Sequence, residues 1–211
     1  MTTIENGSTA DVALNCLAKI RKWFEVNERL TFDDEDLAEN EQDRGILWFD
    51  VLYSELCKGV KLSKQQSNRA IYICEWFANK SGRKNWAVLT GLSINLLSLL
   101  KEGTVNLLTM PTVTEELTRV LNNQGTIRAN LNVAPLHIIT SLSRLCDNKE
   151  NAAAISNSTL YICLQNIAKD TTGKNEISEA AEVLLSILPQ PQYATVLETK
   201  LSKRNSFPNL D

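Results

Sequence analysis

A single histidine, His137, serves the whole chain of 211 residues. A Ser/His/Asp or Cys/His catalytic site would have to use it, and no companion motif such as GxSxG accompanies it. Cysteines are few and their number is odd: Cys16, Cys57, Cys74, Cys146 and Cys163. No CxxC pair occurs, and zinc would need two paired ligand clusters, so no zinc site is signalled. Glycine-rich phosphate loops of the GxxxxGK[ST] or GxGxxG kind are also missing. With only 8 glycines and 5 prolines against 30 leucines, the composition favours helices, whose interiors Gly and Pro weaken by about 1 to 3 kcal/mol each. A basic excess is absent too. The formal net charge is -3, from 22 basic and 25 acidic side chains, which argues against a general nucleic-acid binder. No apolar run reaches the length of a membrane span, and MTTIENGSTADVALN has no basic region followed by an apolar stretch. Neither a membrane association nor a signal peptide is expected, and buried reduced thiols fit an intracellular protein of cytoplasm or nucleus.

What the chain does hold is helical periodicity. Residues 9–28 carry Leu14, Leu17, Ile20 and Phe24 on one stripe, with Thr9 or Asp11 as the expected cap. The segment 33–43, DDEDLAENEQD, has seven acidic residues and reads as a solvated acidic loop. A helix over about 44–58 follows, ended by Gly59 in a left-handed cap. Ser63 opens a capping box for a helix bearing Ala70, Ile73, Cys74 and Phe77. A Leu-rich helix spans 85–102. Thr112 and Glu115 suggest a second capping box for a helix over 113–123, and Pro135 suits the first turn of a helix reaching about Cys146. Short and medium helices at 149–155 and 158–169 precede a helix at 176–188, stopped by Pro189. Residues 192–203 carry the spacing of a further amphipathic turn or two. No stretch alternates with period two, so the fold class is all-α.

The helices recur. A shift of 46 places Leu96, Leu99 and Leu100 on Leu142, Leu145 and Cys146, and Leu117 on Cys163. A shift of 42 places Leu142, Leu145 and Cys146 on Leu184, Ile187 and Leu188. Each unit holds a long, a short and a medium helix, and one unit cannot bury its apolar stripe without its neighbours. A non-repeating helical bundle is the rival reading.

The stretch SLSRLCDNKENAAAISNSTLYICLQNI, residues 141–167, resembles an armadillo repeat: the end of a third helix, an Asn/Glu break, a short first helix and a second helix. Weaker copies lie at 95–121 and 183–201, and Asn157-Ser158-Thr159 stands where the family has a small glycine turn. The resemblance implies a right-handed α-solenoid of stacked armadillo- or HEAT-like repeats. It divides the chain into an N-terminal helix or cap at 1–32, the acidic loop at 33–43, repeats over 44–203 and a flexible tail at 204–211.

In such arrays third helices line a concave binding surface. By that resemblance the lining residues here are Ile94 and Ser98, then His137, Thr140 and Arg144, then Glu179, Glu182 and Ser186. Importin-like arrays grip an extended basic peptide with Asn and Trp on this helix. Here Ser98, Arg144 and Ser186 replace the Asn, and Ile94, Thr140 and Glu182 the Trp, so a nuclear-import receptor is disfavoured. The four tryptophans, all N-terminal, read as packing residues, with a docking hot spot as the sharper alternative. Ser206 in KRNSFP is a candidate phosphosite for a basophilic kinase.

The functional expectation is a non-enzymatic protein–protein interaction scaffold or adaptor that needs no cofactor and docks a partner peptide or helix. An open repeat end near residue 203 leaves room for a further helix, a cap or a homodimer. The alternative is a helical regulator of an enzyme, such as a GTPase or phosphatase modulator. A helical-repeat RNA binder ranks below both, because the charge is negative and no basic stripe with spaced aromatics occurs.

Overall fold

The computed structural model describes residues 8–27, 35–80, 86–100, 106–122, 135–169 and 175–192. Among them every regular element is helical. The fold class is all-α.

Helix α1 runs Thr9–Val26, and it is Ser8, not Thr9 or Asp11, that caps it, its hydroxyl accepting from the Asp11 N–H at 3.3 Å. The expected stripe is buried, from Leu14 and Leu17 through Ile20 to Phe24.

Helix α2 spans Glu35–Cys57, and so overturns the expectation of an acidic loop over 33–43 as far as residues 35–43 are concerned. The reason is spacing. Gln42 and Ala38 are buried one and two turns ahead of Ile46, on the stripe that Phe49, Leu52 and Tyr53 continue, so the core-facing stripe already starts within the acidic segment. On its flank Glu41 pairs with Arg44 at 2.6 Å. Gly59 then takes φ 91°, and its N–H bonds to Leu56 O while Val60 N–H bonds to Glu55 O. That pair closes α2 in the expected left-handed cap.

The capping box at Ser63 forms as expected and opens α3, Lys64–Ala78. Its Gln66 has a second use: Nε2 donates to Asp11 Oδ1 at 2.6 Å and ties α3 to α1. Helix α4 is Trp86–Leu100. A short 3-10 helix, Asn106–Thr109, leads into α5, Pro111–Asn122. This start differs from the expected Thr112 cap. Pro111 occupies the first helical position, where its missing N–H costs nothing, and Val113 N–H bonds to Met110 O.

Helix α6, Pro135–Leu145, begins at its proline as expected. Helix α7, Lys149–Ser156, is capped by Asn148, and α8 is Thr159–Lys169. Helix α9, Glu176–Ile187, opens on an Asn175–Ser178 capping box. It ends at Leu188, held extended (φ -77°, ψ 141°) ahead of Pro189. The expected turns over 192–203 lie outside the described residues, apart from Gln192.

Helices α2, α4, α6 and α9 lie in a row, each on the next; α5 lies on α8, and the 3-10 helix on α7. Polar pairs mark the same steps. Ser98 and Ser141 are hydrogen-bonded at 3.1 Å across 43 residues. Asn148 Nδ2 donates to Asn106 Oδ1 at 2.8 Å across 42. Thr118 and Thr159 hydroxyls meet at 3.3 Å across 41, and the Cys163 thiol donates to Asn122 Oδ1 at 3.1 Å across 41. Such pairs hold the register between neighbouring helices that apolar packing alone leaves free to slide.

The N-terminal half closes around aromatics. Phe77 stacks on Trp86 with centroids 5.8 Å apart, Phe24 and Phe49 meet this pair edge-on, and Trp86 Nε1 donates to Phe77 O at 2.9 Å. Trp86 is buried, while Trp23, Trp48 and Trp76 are half-buried against the core. The indole N–H of the buried ring is thereby satisfied, as burial requires.

Candidate functional site

Helix α4 is apolar on nearly all sides, and 12 of its 15 residues are buried. A helix of that kind is surrounded by protein, and α4 packs against α2, α3, α5 and α6. Ile94 is 0% exposed and Ser98 8%. Neither is on an open surface, which corrects the expectation that they line one. Ser98 instead spends its hydroxyl on Asn95 O and Ser141.

The remaining lining candidates fall on α6 and α9. His137 is half-buried, and its ring meets Tyr53 of α2 edge-on, centroids 6.2 Å apart at 86°. Its Nδ1 is buried with no hydrogen-bond partner among the described residues. Thr140 is half-buried, and its hydroxyl donates back to Leu136 O at 2.7 Å. Arg144 is exposed, one further turn along, and its guanidinium charge acts on the Tyr53 phenol. Three of the expected residues therefore share one helix, and two of them converge on Tyr53. On α9, Glu179, Glu182 and Ser186 are exposed, and Ser186 Oγ donates to Val183 O at 2.7 Å. Ser206 lies outside the described residues.

Tyr53, the hub of this junction, is a residue that the spacing of the sequence did not single out. Tyr53 is 5% exposed. Its phenol is pushed above the ordinary value first by burial and then by the Cys57 thiol beside it, with Arg144 pulling the other way. The neutral phenol is thus the form held here. The only local signal was the i, i+4 pairing of Tyr53 with Cys57, and nothing in it points to α6, more than 80 residues on.

Elsewhere, a groove of about 400 Å³ opens between α5 and the α7–α8 turn, lined by Thr109, Thr114, Glu115, Asn157, Ser158 and Thr159. None of the expected site residues lines it. Among the described residues no group of three His, Cys, Asp or Glu is placed to hold a metal ion, and no helix is long and apolar enough to cross a membrane. No family model matches the chain, and no curated protein or solved structure matches it either.

Proposed function

We propose that the protein is a non-enzymatic interaction scaffold or adaptor of armadillo-like build, presenting the outer faces of α6 and α9 to a partner peptide or helix. One observation carries the reading. Like elements pack on like elements, and four side-chain hydrogen bonds join residues 41 to 43 apart. That arrangement yields a pre-organised platform, which lowers the ordering cost a partner must overcome on binding. In this reading the row α2–α4–α6–α9 corresponds to third helices of successive units, and the 3-10 helix and α7 to first helices. Arg144, Glu179, Glu182 and Ser186 then provide polar register marks beside apolar anchors.

The test is affinity capture with the full chain and with Arg144→Glu, followed by mass spectrometry, with helical circular dichroism as the folding control. The reading expects a set of captured proteins that the variant loses while its helicity stays intact. A captured set unchanged by Arg144→Glu would remove α6 from the docking face.

A further inference from the structure

The row of helices offers one more position than the described residues fill. Helix α4 is covered by α6, and α6 by α9, whereas no described helix continues the row beyond α9. On α9, Ala181 and Leu184 point into the core, while Glu179, Glu182, Val183, Ser186 and Ile187 fall within the opposite sector. Val183 is 61% exposed and Ile187 53%. They are one turn apart and form a contiguous apolar ridge. Carboxylates flank it at Glu176, Glu179 and Glu182, and α9 contains no lysine or arginine. No ion pair ties any of the three to another described residue. Glu176 and Glu179 suit the helix N-terminus, but Glu182 lies beyond that first turn.

We infer that the outward face of α9 docks an amphipathic helix that carries lysine or arginine beside its apolar side. The inference rests on the docking function above and names the chemistry of the partner. The apolar edge of the incoming helix packs over Val183 and Ile187 and extends the row by one member. Its cations face Glu179 and Glu182. Charge complementarity selects the partner and speeds encounter, while burial of the ridge supplies the affinity.

The experiment uses the full chain and two synthetic peptides in fluorescence anisotropy. One is a leucine-striped amphipathic helix with lysine and arginine flanks; its twin has glutamates at those flanks. The basic peptide is expected to bind, with an affinity that falls as salt rises, and the acidic twin is not. Val183→Ser with Ile187→Ser weakens binding about tenfold or more. Both positions are exposed, so helicity is retained. Glu179→Lys with Glu182→Lys exchanges the preference, so that the acidic twin binds better than the basic peptide. A merely structural role for these glutamates would not produce that exchange.

Equal binding of the two peptides, no binding of either, or indifference to both α9 variants overturns the inference. So does a wild-type dimer that Val183→Ser with Ile187→Ser dissociates, which would seat a second copy on the ridge. A rise in basic-peptide affinity on reversing Lys200, Lys203 and Arg204 to glutamate also overturns it, because the occupant would then be this chain's own C-terminal segment. Capture that still depends on Arg144 while neither peptide binds α9 removes this inference alone. Peptide binding with capture indifferent to Arg144 removes the α6 docking reading and leaves this one standing.

Discussion

Tyr53 on α2 meets His137 on α6 edge to face, with ring centroids 6.2 Å apart. The two residues belong to helices on either side of α4 in the packing row. Their contact joins α2 directly to α6 at the level where the sequence suggested an open surface.

Replacing Tyr53 with alanine removes that junction. The side chain is buried, so truncation is expected to cost about 3 kcal/mol, the scale of other buried aromatic deletions. Tyr53→Phe keeps the ring and loses only the hydroxyl contacts, for about 1 kcal/mol. Urea unfolding followed by helical circular dichroism measures both. Equal losses would mean that the hydroxyl, not the ring, holds α2 to α6.

Ser98 and Ser141 join α4 to α6 through a buried hydrogen bond of 3.1 Å. A double-mutant cycle with Ser98→Ala and Ser141→Ala is expected to return a coupling energy of about 1 kcal/mol. A cycle additive to within about 0.3 kcal/mol would deny this pair its part in the register.

The thiols should divide sharply under alkylation of the native protein. Cys57 is exposed and reacts first; Cys74 and Cys163 are buried and react only on unfolding. Cys146 joins the slow group, because burial, with Asp147 adding to it, pushes its thiol from 9.0 up to about 12. The folded value lies above the unfolded one. The stabilisation of the neutral thiol is therefore complete below pH 9.0 and is lost as the pH rises towards about 12. Cys146→Ala should flatten the alkaline fall in stability over that window, as read from urea midpoints. An unchanged slope would show that Cys146 does not set it.

Asp11 works in the opposite direction. Hydrogen bonds from Gln66 and then Ser8 hold its carboxyl below the ordinary 3.8. The folded value is depressed, so the stabilisation is present above pH 3.8 and is lost as the pH falls through the lower native value. Titration followed by NMR should place Asp11 below 3.8, and Gln66→Ala should return it towards that figure. No movement in the variant would assign the depression to Ser8 instead.

Several features that depend on residues within one helical turn were legible in the sequence. Gly59, the Ser63–Gln66 box and the Pro135 start each need only neighbours three or four positions away. The step between like helices was legible only loosely: the shift of 46 that sets Leu96 on Leu142 and Leu117 on Cys163 overshoots the 41 to 43 residues that separate the polar pairs joining the same helices, because an apolar stripe matches itself again when slid by one turn. The α2 start was misread because seven carboxylates in 33–43 outweighed the two core positions among them, Ala38 and Gln42.

By itself the sequence determined the helical class, many of the helix ends and which stripe of each helix seeks cover, since caps and periodicity are local properties of the chain. Only the tertiary structure decided which helix would be enclosed on every side. Burial of Ile94 depends on helices arriving from four directions, and the meeting of Tyr53 with His137 and Arg144 depends on α2 and α6 approaching across α4. Desolvation is a property of that assembled neighbourhood, and no spacing within a single helix encodes it.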